Sequence, residues 1–298
     1  MKVLVIIVSY NFERWIDRCL GSLRNSKQPV DTVVIDNCSQ DHTVELVRRH
    51  YPEVRVIQNS ANLGFGQANN IGMKIAIEEE YDAVFLLNQD AWIDANTIGT
   101  LCDISRQHPE YGILSPVHLT GDGQKLDSGF AVYAGISQIN ELPKDKAIQA
   151  APFINAAFWM IPVSVLLSIG GFSPLFYHYG EDKDYANRIS YHKYSIGYIP
   201  GIFGCHDRES RKLSHEAFMR SEEIYLLTEY ANIRYSYIQA FGYGILASIK
   251  KGINHLVKGK GKDAISYLVI AFKLLKRSNE VLKYRKQSSY RKANYLHL

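Results

Sequence analysis

The 298 residues hold only four cysteines, Cys19, Cys38, Cys102 and Cys205, and none stands in a C-x-x-C spacing with another. That scatter argues against a zinc knuckle or a thiol redox pair and fits reduced thiols in a cytosolic setting. Long apolar runs are missing too. The first, residues 3–8, is too brief for a signal-peptide core and is followed at once by Asn11, Glu13 and Arg14. No segment reaches the roughly 18–20 uninterrupted apolar residues of a membrane span. There is no internal repeat and no low-complexity tract. Acidic residues are scarce at one end: residues 250–298 carry 13 Lys and Arg against Asp263 and Glu280, whereas residues 1–249 carry 21 basic and 28 acidic side chains. The mild net charge of +4 therefore conceals an acidic body and a basic tail. No nucleic-acid recognition motif accompanies the basic charge, which argues against a nucleic-acid partner.

What is present is an alternation of strand and helix. Residues 3–9 form a β-branched run, as expected of a parallel strand covered on both faces, and Trp15, Cys19, Leu20 and Leu23 then recur at helical spacing. The pattern repeats with a strand at 32–36, a helix that Asp41 can cap with Val44 and Val47 inward, and a strand at 54–58. Gly64-Phe65-Gly66 then opens a helix through Ala68, Ile71, Ile75 and Ala76, ahead of a strand at 83–88. This predicts an α/β fold with a doubly wound, mostly parallel sheet. Ligands of such sheets lie beyond the carboxyl ends of the strands, which here present Ser9-Tyr10-Asn11, Asp36-Asn37 and Asn88-Gln89-Asp90. Residues 119–150 lose periodicity and read as a surface excursion shaped as a hairpin. A helix from 182 to about 194 and a short strand at 196–199 follow. From His215 the pattern is helical, with a break near Gly259-Lys260-Gly261.

Two acid groups carry the chemistry. Glu181, Asp182 and Asp184 open a helix about ninety residues after Asp90, which ends an apolar strand. One group can supply a general base and the other can hold a divalent cation, the division of labour that sugar transfer from a nucleotide donor requires. The plainer alternatives are an acidic first turn stabilised by the helix dipole and a turn-capping aspartate. Asp36 ends the second strand, where a carboxylate either accepts bonds from a nucleoside or satisfies turn amides.

Taken in order, Val8-Ser9-Tyr10-Asn11, the run from Val34 to Asp41, Asn59 with the run from Asn62 to Asn70, Leu87-Asn88-Gln89-Asp90, and Gly170-Gly171-Phe172 leading to Glu181-Asp182 resemble the family 2 glycosyltransferases, inverting sugar transferases of GT-A fold. The likeness runs from Val3 to about His206 and is nearest to bacterial rhamnosyl- and galactofuranosyltransferases of surface polysaccharides. It implies a nucleotide-sugar site at Ser9, Tyr10, Asn11, Asp36, Asn37, Asn69, Asn88 and Asp90. Asp90 occupies the final place of the family's D-x-D, with Asn88 in place of its first acid. With His206, which is otherwise a structural histidine, Asp90 would bind Mn²⁺ or Mg²⁺. Asp182 falls on the catalytic base, with Glu181 orienting it. Trp159 offers an acceptor floor or a core ring, and Arg188 a partner for the acceptor or for the acid cluster.

The resemblance implies a metal-dependent hexosyl or deoxyhexosyl transfer from a UDP- or dTDP-sugar to a hydroxyl of a glycan or lipid-linked acceptor, at the cytoplasmic face of the membrane. A non-catalytic nucleotide-binding member or scaffold is the alternative. A sugar-nucleotide pyrophosphorylase is disfavoured because Tyr10-Asn11-Phe12-Glu13-Arg14 is no glycine-rich, lysine-bearing loop. The expected division is a catalytic domain at 1–214, with a nucleotide-sugar half at 1–118 and an acceptor half at 119–214, and a basic helical region at 215–298. The tail's Leu268, Ile270, Leu274 and Leu275 would lie on anionic lipid, leaving donor recognition independent of the tail. Otherwise it is a hairpin packed on the body or on a second copy in a homodimer.

Overall fold

The computed structural model describes residues 1–143, 145–208 and 214–297. Its strands are β1 (Val3–Ser9), β2 (Asp31–Asp36), β3 (Arg55–Gln58), β4 (Ala83–Leu87), β5 (Ala91–Ile93), β6 (Tyr111–Thr120), β7 (Gln149–Ala150), β8 (Phe158–Pro162) and β9 (Ser195–His206). β1 shows how the sequence builds the layers. Successive side chains point to opposite faces, so Leu4 and Ile6 enter one core and Val3, Val5 and Ile7 another, none more than 3% exposed. Helices Gly64–Glu78, Val163–Ile169 and Glu181–Tyr191 supply Ala68, Leu166 and Tyr185 to the first core. Helices Ile16–Arg24, Thr43–His50 and Thr97–Gln107 supply Leu20, Val47 and Leu101 to the second. Gly72 lets its helix lie close on β1, since an added Cβ would stand 2.7 Å from Ile6 Cγ2.

The strands join in the order β3-β2-β1-β4-β8-β6-β9-β5, with β7 paired to β9. β3, β2, β1 and β4 are mutually parallel; β8 then runs antiparallel between β4 and β6, and β6 pairs parallel with β9. The doubly wound α/β sheet is therefore present, with two differences in its second half. The excursion at 119–150 is not a hairpin: it contains helix Ser128–Ala134, whose start is held by the Asp127 carboxylate accepting Phe130 N at 3.0 Å. Seven residues with one buried side chain give no period to read. The strand expected at 196–199 extends over twelve residues, because Pro200-Gly201 are not a terminating turn. They lie at an irregularity where the register against β6 shifts between Pro116 and Val117.

Helices His215–Ala231, Ala247–Val257, Gly261–Lys276 and Ser278–Ser288 build a third core around Leu226, Tyr230, Tyr267, Ile270, Leu274 and Tyr284, against Leu175 and Phe176 of the body. The expected boundary at 214 follows residues 209–213, which lie outside the described residues. The final segment returns to the sheet: Lys292 N donates to Ser168 O at 2.7 Å and Gly171 N to Asn294 O at 2.9 Å. Gly170, at φ +87°, would place a Cβ 1.9 Å from Asn294 O, so only glycine lets the tail approach there. The face expected to meet lipid is thus half interior, with Ile270 and Leu274 buried and Leu268 and Leu275 exposed.

Candidate active site

At the carboxyl ends of the parallel strands, Ser9 Oγ donates to Asp36 Oδ1 at 2.9 Å, Ser39 Oγ donates to the same oxygen, and Ser39 N donates to Asp36 Oδ2 at 3.1 Å. Asp36 is fully buried, and these bonds tie the end of β2 to β1 and to the loop that follows. Asn11, at φ +54°, donates its N–H to Ser39 Oγ and accepts Gln40 N, both at 2.9 Å, so the loops after β1 and β2 hold each other. Tyr10 leaves its ring 45% exposed while its backbone is held by Gln89: N to Oε1 at 2.8 Å, and Nε2 to Tyr10 O at 3.2 Å. Asp41 accepts the N–H of Thr43 and of Glu13, fixing the start of the following helix. Asn37 and Asn69 are buried in backbone-holding roles. Asn37 Oδ1 accepts Asn59 Nδ2 and Leu63 N, and Asn69 Nδ2 donates to Phe65 O at 3.0 Å.

The antiparallel register of β5 with β9 pairs Ala91 with His206 and so delivers the histidine to Asp90, with Nε2 at 3.2 Å from Asp90 Oδ1. Asn88 Nδ2 lies 3.4 Å from the same ring nitrogen, and Asn88 Oδ1 is buried without a hydrogen-bond partner among the described residues. A buried amide oxygen left unsatisfied beside a carboxylate and an imidazole fits a hard cation. The donor set is small: among the described residues, no three His, Cys, Asp or Glu side chains converge as metal ligands. Arg208 Nε approaches His206 Nδ1 at 3.2 Å and Asp127 Oδ2 at 3.1 Å. Because a guanidinium cannot accept, this contact makes Nδ1 the acceptor and Nε2 the donor to Asp90.

Helix Glu181–Tyr191 starts at Gly180, whose φ of +84° and close neighbours Ile224, Phe176 and Thr228 exclude a side chain. Glu181 is 5% exposed, and its Oε2 has no partner among the described residues; burial first, then the adjacent Asp182 charge, raises its carboxyl to about 8. Burial also raises Asp182 above the ordinary aspartate range, against the pull of backbone N–H groups from Lys183, at 2.7 Å from Oδ1, and Ala156. Burial thus favours the protonated form of both carboxyls, while the backbone amides at Asp182 favour its charge. The segment before β8 joins this acid to the other: Ala156 N–H reaches Asp182, and the next residue's carbonyl, Ala157 O, accepts Asn88 N at 3.1 Å.

Trp159 and Arg188 are not at an acceptor floor. Both are fully buried. Trp159 Nε1 donates to Ile154 O at 3.2 Å and its ring stacks with Phe172. Arg188 gives Nε to Asp184 Oδ2 at 3.1 Å, Nη1 to Ile169 O at 3.1 Å and Nη2 to Gly171 O at 2.7 Å, so its donors hold the Gly170-Gly171 turn. The sequence reading missed Tyr133, whose hydroxyl is raised by burial and next by the Asp182 charge, together with Asp127 and Arg208. It also left Asn70 without a role, although its side chain accepts Phe172 N at 2.7 Å and donates to Phe172 O at 2.8 Å.

Comparison with known proteins agrees with this geometry. The chain is 24% identical over 238 residues to the N-acetylglucosaminyl-diphospho-decaprenol L-rhamnosyltransferase of Mycobacterium tuberculosis, covering 68% of this chain and 75% of that one. It is 22% identical over 242 residues to rhamnosyltransferase WbbL of Escherichia coli, covering 72% and 88%. The crystal structure of S. aureus TarS 1–349 in complex with UDP-GlcNAc superimposes with a TM-score of 0.63 at 16% identity, over 97% of this chain and 88% of that one, which shows a shared GT-A fold. The profile of glycosyl transferase family 2 matches residues 4–166, more than half of the chain, with β1 to β4, Asp36 and Asp90 inside it, and the chain belongs to that family of sugar transferases.

Proposed function

We propose that the chain transfers one hexosyl or deoxyhexosyl unit, with inversion, from a UDP- or dTDP-sugar to a hydroxyl of a lipid-linked or growing cell-surface glycan. The carrying observation is the segment at 156–157, which contacts Asp182 with one residue and the backbone of Asn88 with the next. The strand-end groups and the acid of the helix are thereby tied to one short segment. Ser9, Tyr10, Asn11 and Asp36 line the donor side, with the Asp36 carboxylate aimed at the nucleoside and Asn37 and Asn69 holding the loop and helix behind it. Asp182, oriented by two backbone amides and raised toward neutrality, takes the acceptor's proton as the new bond forms at the anomeric carbon and the bond to the diphosphate oxygen breaks.

The residues that would hold Mn²⁺ or Mg²⁺ are Asp90, Asn88 through its unsatisfied oxygen, and His206, and such a cation would neutralise charge on the leaving diphosphate. His206 would then give up its bond from Arg208, since a ligating Nε2 leaves the ring proton on Nδ1. The decaprenol-linked substrate in the mycobacterial relative's name supports a lipid-linked acceptor. Replacing Asp182 by Asn tests the reading: transfer should fall about a hundredfold or more while calorimetric UDP binding persists. Turnover like that of the wild type would place the base elsewhere.

A further inference from the structure

Helix Gly261–Lys276 is apolar on two faces. Ala264, Tyr267, Ile270, Ala271 and Leu274 are buried against the body. Ile265, Leu268, Val269, Phe272 and Leu275 form a second stripe at helical spacing, 47–65% exposed. Helix Ala247–Val257 packs beside it so closely that a Cβ at Gly252 would stand 3.2 Å from Ala264 O. It extends the stripe with Ile253, Leu256 and Val257, the last 83% exposed. Single exposed apolar residues are ordinary on a protein surface, but a patch shared by two packed helices marks a contact surface.

The charge around the patch has one sign. Lys258, Lys260 and Lys262 crown the turn between the helices, exposed and without an ion pair among the described residues. Lys276 sits with Nζ 4.6 Å above the Phe272 ring. The hairpin's acid, Asp263, is occupied by His215 at 2.7 Å and His255 at 3.2 Å. Among the described residues no helix is long and apolar enough to cross a membrane.

We propose that this outer face of the hairpin docks in the plane of an anionic lipid bilayer, its apolar stripe entering the boundary between headgroups and acyl chains and its lysines resting on anionic headgroups. Charge selects lipid over a second copy of the chain. A two-fold contact through this patch places the same surface on both partners and brings the lysine rims together, whereas anionic headgroups neutralise them. The inference rests on the transferase reading only in naming the surface where that reaction takes place, and its test uses no turnover.

The full chain is sedimented with vesicles of phosphatidylcholine alone and of phosphatidylcholine mixed with phosphatidylglycerol. It should bind the mixed vesicles, and added salt should release it. Leu268→Glu with Phe272→Glu should lower binding at least about tenfold. Lys258→Gln, Lys260→Gln and Lys262→Gln together should lower it by about a hundredfold, on the order of fivefold per lysine. Both variants should keep the unfolding midpoint and UDP affinity of the parent chain, since the substituted side chains are exposed. Equal sedimentation of parent and variants overturns the proposal, as does binding indifferent to lipid charge and salt. A parent chain that is dimeric by sedimentation velocity and becomes monomeric in Leu268→Glu with Phe272→Glu assigns the patch to a second copy and overturns it as well.

Discussion

Two carboxylates adjacent in sequence, Glu181 and Asp182, are both raised by burial, and Asp182 alone is also held by the N–H groups of Lys183 and Ala156. Glu181 meets apolar neighbours and holds its proton to about pH 8, whereas an unfolded glutamate releases it near 4.3. Between those values the folded state binds more protons than the unfolded state, so unfolding free energy falls as pH rises and levels off above about 8. Glu181→Gln removes that dependence. Urea titrations across pH 5 to 9 should show the variant gaining on the wild type up to about pH 8, by on the order of a few kcal/mol; parallel curves would show an ordinary Glu181. For Asp182 the consequence is catalytic: Asp182→Asn should lose turnover about a hundredfold or more with UDP affinity retained, and the acid limb of kcat/KM in the wild type should lie above the ordinary aspartate pKa of about 3.9. Asp90 carries a separate test. If Asp90, Asn88 and His206 hold a cation, Mn²⁺ or Mg²⁺ should tighten UDP binding in calorimetry and Asp90→Ala should abolish the enhancement; equal affinity in chelator and in metal would remove the cation from the mechanism.

At the scale of elements, the helix that carries Glu181 and Asp182 is fixed from behind. Asp184 accepts Arg188 Nε at 3.1 Å and the Tyr284 hydroxyl, Arg188 closes on the carbonyls of Ile169 and Gly171, and Asn294 O takes the N–H of Gly171. Removing one partner of a buried ion pair leaves the other charged and unpaired, so Arg188→Leu should lower stability by about 3–5 kcal/mol in urea unfolding. An Arg188 that instead served the acceptor would leave the unfolding midpoint in place and raise the acceptor's KM. This helix also marks the limit of what the sequence made legible. Strand ends were readable because β-branched runs stop at polar triplets, and β1, β2 and β4 present Ser9, Asp36 and Asn88 to Asp90 where that rule puts them. Glu181 and Asp182 were readable because three acids open one helix. Trp159 and Arg188 stayed open between acceptor and interior because their burial depends on tertiary packing: Arg188 lies under Tyr295, and Trp159 under Phe172. Tyr133 and Arg208 escaped because neither lies in a segment with a readable period; Tyr133 meets Asp182, and Arg208 meets Asp127, only in the folded chain.

On the scale of the whole molecule, the acidic body and basic tail meet, but charge is the weaker part of the contact. Lys273 pairs with Glu223 at 2.7 Å and Lys251 with Glu222, and such partly exposed pairs contribute about 0–1 kcal/mol each. The third core is larger in effect: Tyr267, Ile270, Leu274, Val281 and Tyr284 are all at most 5% exposed, and burying a large apolar side chain contributes about 1.5–3 kcal/mol. Raising salt should therefore leave the tail docked on the body even where it releases the outer hairpin face from lipid. The tail also buttresses the helix of Glu181 and Asp182, because Tyr284 bonds Asp184, Tyr295 stacks over Arg188 and Asn294 holds the Gly170-Gly171 turn that precedes Glu181. A chain ending after Gly259 loses all three contacts together with the third core. It exposes the buried Asp184 and Arg188 pair from one side and leaves Asn70, which loses its bond to Tyr295 O, to hold the loop at Phe172 without the tail behind it. Truncation there should abolish the cooperative unfolding transition seen by circular dichroism and weaken UDP binding with it, although every strand-end residue of the donor side is retained. A truncated chain that kept the parent's unfolding midpoint and UDP affinity would show the sheet to be self-sufficient and the tail to be only an attachment.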